Sequence, residues 1–199
     1  MRRLGLTGGI ASGKSAVAAM LRDLGFPVLS ADAVAHHLME PGQEAHGEIL
    51  REFGSGVAAT NGVIDRSKLA SIVFADPAKL ARLNAILHPR VEKAMLAQFE
   101  EWEQTGVRDA AFVEAALLVE AGFDKKLDGL VVAWCRPEQQ IERLLARGMS
   151  ELEARRRVGA QMPVEEKKKH ATYSVDCSGT IAETLAQVRE LAAKLRQQA

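Results

Sequence analysis

Residues 8–15 read Gly-Gly-Ile-Ala-Ser-Gly-Lys-Ser and fit the spacing G-x-x-x-x-G-K-[ST]. They follow a short apolar stretch and precede Ala16-Val17-Ala18-Ala19-Met20-Leu21, a run of good helix formers. A strand that turns through glycines into a helix points successive backbone N–H groups into one concavity. The positive end of the helix dipole adds to the same place. Gly8, Gly9 and Gly13 permit the tight turn and a close approach of phosphate, with Ala11, Ser12 and Ala16 completing the backbone cradle. Lys14 can reach the β and γ oxygens, and the Ser15 hydroxyl can ligate Mg²⁺. The chain is therefore expected to bind a nucleoside triphosphate. Its helix should begin near Ser12, and the Lys14 ammonium should stand in solvent-accessible backbone turns before nucleotide arrives.

Strand-like and helix-like segments alternate from end to end, the pattern of an α/β protein with a parallel sheet between helices. Strands are expected at 3–7, from 28, at 110–113, at 130–134 and at 173–176. Leu130-Val131-Val132-Ala133-Trp134 is the clearest, a continuous apolar run after the Asp128-Gly129 turn. A capping box of Thr180 and Glu183 opens the closing helix. Between Asp32 and Arg108 lie about 75 residues, far more than one crossover helix needs. Helices are expected there at 33–39, 43–53, 66–74 and 77–103, the last broken at Pro89 and started by Asp76-Pro77. This division gives a core of about 1–32, 108–142 and 171–199, and a helical insertion at about 33–107.

A second unusual stretch, about 143–170, holds eight basic residues (Arg143, Arg147, Arg155, Arg156, Arg157, Lys167, Lys168 and Lys169) against four acidic ones. Ser150 and Glu153 should form a capping box for its helix, and Met162-Pro163 should end it. A charge run of this kind is ordinarily a solvated helix face. After the fourth strand of a phosphate-binding fold it is also where a lid belongs, so Arg143 and Arg147 are candidates to meet the phosphates.

Asp32 follows the second strand, where it could accept a proton from an acceptor hydroxyl, hold a Mg²⁺-bound water, or simply cap the next helix. Glu114 ends the third strand, as an acid contacting Mg²⁺ through water would. Glu120 is a weaker carboxylate candidate, structural or in a substrate pocket. Adjacent His36 and His37 point about 100° apart on a helix, which does not suit a metal pair.

Composition sets the remaining bounds. A formal net charge of zero argues against a general nucleic-acid binder, and no apolar run approaches the ~20 residues of a membrane span. Met1-Arg2-Arg3 leads straight into the first strand, which suggests a cytoplasmic protein without a signal peptide. Cys135 and Cys177 are too few and too isolated for a disulfide framework or zinc site, and are expected in the core. A GTPase-like switch would need Asn-Lys-x-Asp, which is absent.

Taken in order, Leu6 to Ser15, Ala31-Asp32-Ala33 with Ala35-His36, Asp65-Arg66, Leu83-Asn84-Ala85-Ile86-Leu87-His88-Pro89, Leu117-Leu118-Val119-Glu120 and Gln161-Met162-Pro163 resemble the dephospho-CoA kinase family, in register from about residue 3 to 180. The resemblance implies a P-loop NTPase core with a five-stranded parallel sheet, a helical CoA-binding insertion and a helical lid. It implies transfer of the ATP γ-phosphate to the ribose 3′-hydroxyl of dephospho-CoA, with Mg²⁺, by a monomer or small homo-oligomer. Asp32 would be the base, Arg66, Leu87, His88, Pro89, Leu117 and Glu120 would hold the acceptor, and Ser15 and Glu114 would serve the metal. The rival within enzymes is another small-acceptor kinase acting on a nucleoside, nucleotide or sugar acid. The chain departs from the usual family pattern at Ser30 (aspartate), Ala116 (proline), Glu114 (aspartate), Ala11 (glycine), Thr172 (aspartate) and Cys177 (asparagine).

Overall fold

A computed structural model describes residues 1–197. The elements run β1 (Arg2–Thr7), α1 (Lys14–Asp23), β2 (Val28–Ser30), α2 (Ala31–Leu38), α3 (His46–Phe53), α4 (Arg66–Phe74), α5 (Pro77–Gln104) and β3 (Ala110–Glu114). They continue with β4 (Gly129–Trp134), α6 (Pro137–Ala146), α7 (Glu151–Gly159), α8 (Val164–Lys168), β5 (Tyr173–Asp176) and α9 (Ile181–Gln197). The strands form one parallel sheet in the order β2-β3-β1-β4-β5, with Leu4 opposite Phe112 and Leu6 opposite Val131. β1 is central, and its neighbours lead away on either side, so the loop after it lies at the topological switch point.

The chain divides into two units, Met1–Ser30 with Phe99–Ala199 and Ala31–Gln98. In the first, Leu4, Leu6, Phe112, Val131 and Val175 of the sheet pack with Val17, Ala18 and Leu21 of α1 and Val188, Ala192 and Leu195 of α9. All of these are essentially dry, which explains why the central strands read as continuous apolar runs rather than alternating ones. The closing helix has both halves of its capping box: Thr180 Oγ1 accepts from Glu183 N at 3.2 Å, and Glu183 Oε2 accepts from Thr180 N at 2.7 Å.

The second unit has its own core of Leu38, Ile49, Val57, Leu69, Val73 and Ile86. Asp65 accepts from Ser67 N and Lys68 N, which starts α4 at Arg66. Asp76 accepts from Ala78 N at 2.9 Å, so α5 starts at Pro77 as expected. The expected break at Pro89 is absent, and α5 runs through it. Proline disturbs the carbonyls one turn before it. Here the Arg90 guanidinium donates to Ile86 O at 2.5 Å and pairs with Glu48 of α3, which ties that turn to a neighbouring helix.

Candidate active site

Beyond Thr7 the chain cannot carry a side chain at residue 8. A Cβ on Gly8 would lie 2.2 Å from the Ala133 carbonyl oxygen of β4. Gly13 sits at φ +103° with Cys177 packed against it, where a Cβ would meet the Cys177 Cβ at 2.7 Å. Ala11 is the one non-glycine residue at positive φ among the described residues, at +57°. That is why glycine is usual there, and alanine carries a steric cost of about 1–2 kcal/mol.

Helix α1 begins at Lys14 rather than near Ser12, because Gly13 occupies the left-handed N-cap position. No side chain caps it, which leaves the N-terminal turn as an anion-binding end. Ser12 is 2 % exposed, and its Oγ has no hydrogen-bond partner among the described residues. A buried hydroxyl without a partner is costly unless a ligand completes it. These features fit a bound phosphate.

The Lys14 ammonium does not stand in solvent-accessible turns. Its side chain is 13 % exposed, and Nζ donates to Glu114 Oε1 at 2.6 Å, with Arg22 Nη2 3.6 Å from the other carboxylate oxygen. The reason is topological: β1 and β3 are paired neighbours, so residues following their C-terminal ends converge. The Ser15 hydroxyl is exposed and makes no hydrogen bond among the described residues, so it remains open to a metal. A hard oxygen donor with few protein ligands suits Mg²⁺, which arrives carrying waters and substrate phosphates.

The basic stretch sorts into three kinds of residue. Arg155 with Glu151 and Arg157 with Glu153 form exposed i,i+4 pairs, while Lys168 and Lys169 pair with Glu165 and Glu166. Lys167 is wholly buried, donating to Ala116 O at 2.5 Å and paired with Glu120 at 3.0 Å. Ala116 O also accepts from Thr7 Oγ1, a role its carbonyl fills without the usual proline. Glu120 further accepts from Met162 N at 3.2 Å, so it holds the segment after α7 in place. Arg147 and Arg156 are exposed, and their guanidinium groups make no ion pair or hydrogen bond among the described residues.

Arg143 lies within α6, donating to Ala11 O at 3.1 Å and Cys177 O at 2.7 Å. Only half of the expected Ser150 capping box forms, because the Glu153 carboxylate turns to Arg157. Helix α7 ends at Gly159, before Met162-Pro163. Thr172 Oγ1 accepts from Leu130 N at 3.1 Å, keeping an acceptor where aspartate is usual. Both cysteines are buried and free; burial pushes the Cys135 thiol up and the Cys177 thiol up to about 11.

In the second unit, Asp32 lies in the first turn of α2, after Ala31, and is exposed. It is therefore not the N-cap, and its carboxylate makes no hydrogen bond or ion pair among the described residues. Arg66 Nη1 approaches both ring nitrogens of His36, at 2.7 and 2.9 Å. Leu87 packs against the second core, while His88 and Pro89 are exposed. Leu117, in the first unit, is 48 % exposed. Sequence reasoning missed Arg22 beside Glu114 and the two glutamines, Gln140 and Gln161, that meet the P-loop backbone at Ile10. Gln161 stood in a quoted motif without a role, and Gln140 carried no signal.

A parallel five-stranded sheet of this order, with a phosphate cradle after its central strand and a basic helical pair after β4, defines a P-loop kinase. The profile of the dephospho-CoA kinase family matches residues 2–183. The dephospho-CoA kinase of Symbiobacterium thermophilum is 46 % identical over 94 % of this chain and 79 % of its own length. That of Geobacillus kaustophilus is 43 % identical over 98 % and 95 %. A solved structure from Thermus thermophilus is 37 % identical with a TM-score of 0.84, covering 100 % of this chain and 98 % of its own. The dephospho-CoA kinase from Campylobacter jejuni is 25 % identical with a TM-score of 0.74 over 98 % of each chain. The chain belongs to the dephospho-CoA kinase family, ATP-dependent enzymes of the last step of coenzyme A synthesis.

Proposed function

We propose that this chain transfers the γ-phosphate of MgATP to the ribose 3′-hydroxyl of dephospho-CoA. The observation that carries the nucleotide half is the cradle at residues 8–16, with Lys14 and the unpartnered buried Ser12 hydroxyl at one uncapped helix end. The 3′-oxygen forms a bond to the γ-phosphorus as the bond to the ADP oxygen breaks. Lys14, held beside Glu114, neutralises the phosphates, while Ser15 directly and Glu114 through water would hold Mg²⁺, which would supply further charge neutralisation there. Asp32 orients the hydroxyl and takes its proton, a role supported by its exposed, uncommitted carboxylate. Arg147 closes on the phosphates from a lid at about 143–170, supported by the lack of an acidic partner for its side chain among the described residues.

The insertion at about 33–107 holds the acceptor through exposed Arg66, His88 and Pro89, with Leu87 bracing that surface; in the first unit, exposed Leu117 offers an apolar contact to substrate. Glu120 acts through Lys167 rather than on substrate. The enzyme works in the cytoplasm as a monomer or small homo-oligomer. The test is purified protein with ATP, Mg²⁺ and dephospho-CoA, products resolved by mass, beside a panel of nucleoside, nucleotide and sugar-acid acceptors. Coenzyme A and ADP in equal amounts are expected. Faster transfer to any panel acceptor would replace this reading.

A further inference from the structure

The peptide groups around Ile10, at the apex of the P-loop, are held by two side chains from outside it. Gln161, which follows α7, accepts from Ile10 N through Oε1 at 2.7 Å. Gln140 of α6, 8 % exposed, donates from Nε2 to Ile10 O at 2.8 Å. Each carboxamide offers Ile10 the group it needs, an acceptor to the N–H and a donor to the carbonyl. Gly9 makes room for Gln140. A Cβ there would lie 2.5 Å from Gln140 Nε2 and 3.5 Å from Gln161 Oε1.

This grip has a consequence for the next residue. Ile10 O and Ala11 N–H belong to one planar trans peptide and point in opposite directions. Fixing the carbonyl toward Gln140 therefore fixes the Ala11 N–H away from it. Ala11 is also the residue held at φ +57°, a conformation its side chain opposes and its surroundings must enforce. A cradle that recognises phosphate through backbone N–H groups gains when those groups are set before the ligand arrives.

We infer that Gln140 and Gln161 are positioning residues that set the Ile10–Ala11 peptide for the triphosphate, so that the segment after α7 governs the shape of the P-loop. The inference rests on the P-loop being the ATP site. Neither glutamine need touch the nucleotide. A hydrogen bond of this kind is worth roughly a three- to tenfold change in an equilibrium.

The test substitutes methionine, which keeps length and shape while removing the polar contact. In Gln161→Met and Gln140→Met, KM for ATP should rise about three- to tenfold, with KM for dephospho-CoA moving less than twofold. Gly9→Ala, whose methyl displaces the end of Gln140, should shift KM for ATP in the same direction. A role confined to folding would lower the active fraction, hence apparent kcat, and leave KM for ATP unchanged. Unchanged KM for ATP in both folded methionine variants overturns the inference. Lys14→Ala separates the two levels: if it retains activity, the ATP site itself is misplaced, whereas its loss of activity beside silent glutamine variants removes only the positioning role.

Discussion

In the first unit, Lys14 is paired with Glu114, Arg143 with the Ala11 and Cys177 carbonyls, and Ile10 with two glutamines. In the second, the Asp32 and His88 side chains make no hydrogen bond or ion pair among the described residues. One set of groups is tied down before substrate arrives and the other is left open. The contrast follows from what each must do. A phosphate cradle works through fixed positive groups and N–H dipoles, which stabilise transferring charge best when no reorganisation is needed. A base must keep its lone pairs uncommitted until a hydroxyl reaches it.

The largest effect should come from removing the most tightly held group. Lys14→Ala should lower phosphoryl transfer by more than about 10³-fold, the scale of losing a cation from the transferring phosphoryl group. Glu114 would then keep only the 3.6 Å contact to Arg22, so stability should also fall, by about 1–3 kcal/mol. Steady-state rates and urea unfolding measure the two; near-normal turnover would remove the P-loop as the ATP site. Asp32→Asn should show the opposite balance. Single-turnover transfer should slow about 10²–10⁴-fold, while stability changes by less than about 1 kcal/mol, since nothing is bonded to the carboxylate. A rate within a few-fold of the unsubstituted enzyme would take Asp32 out of the mechanism.

Two arginines four positions apart repeat the contrast on a smaller scale. The Arg143 guanidinium is bonded to two carbonyls and that of Arg147 to nothing among the described residues. Arg143→Ala should chiefly weaken ATP binding, because it loosens the backbone at Ala11. Arg147→Ala should slow kcat about tenfold or more with little change in KM for ATP, since a free cation acts on closure. Matching kinetic profiles for the two variants would erase the distinction.

Much of the fold could be read in advance because its signals are local. The inner strands β3 and β4 are largely apolar runs, and the helix starts at Arg66, Pro77 and Ile181 follow side chains that cap them. Pro89 misled because its cost is local, while its turn is tied to a neighbouring helix through Arg90 and Glu48, the latter 41 positions away in sequence. The same limit hid the site's internal bonds. Lys14 and Glu114 each carried a functional signal, yet their contact depends on strand order. The charge of the basic stretch was visible, but not which cations are spent on Glu151, Glu153 or Glu120.

The smallest expected change concerns Ala11, where sequence and backbone disagree. The family's usual glycine is absent, and the residue still adopts φ +57°. Replacing it with glycine removes about 1–2 kcal/mol of steric cost in the folded state. It also frees the unfolded chain, which opposes the gain by about 0.4–1 kcal/mol. The net should be a stabilisation of about 1 kcal/mol, equal to a rise in Tm of roughly 2–4 °C for a chain of this size. Activity should stay close to that of the unsubstituted protein, because the bonds to Ile10 and to Ala11 O use backbone atoms that glycine retains. Calorimetry with and without ATP decides the matter. A lower Tm without nucleotide would mean that the loop relaxes away from the left-handed conformation, and that the cradle is less firmly held than its bonds imply.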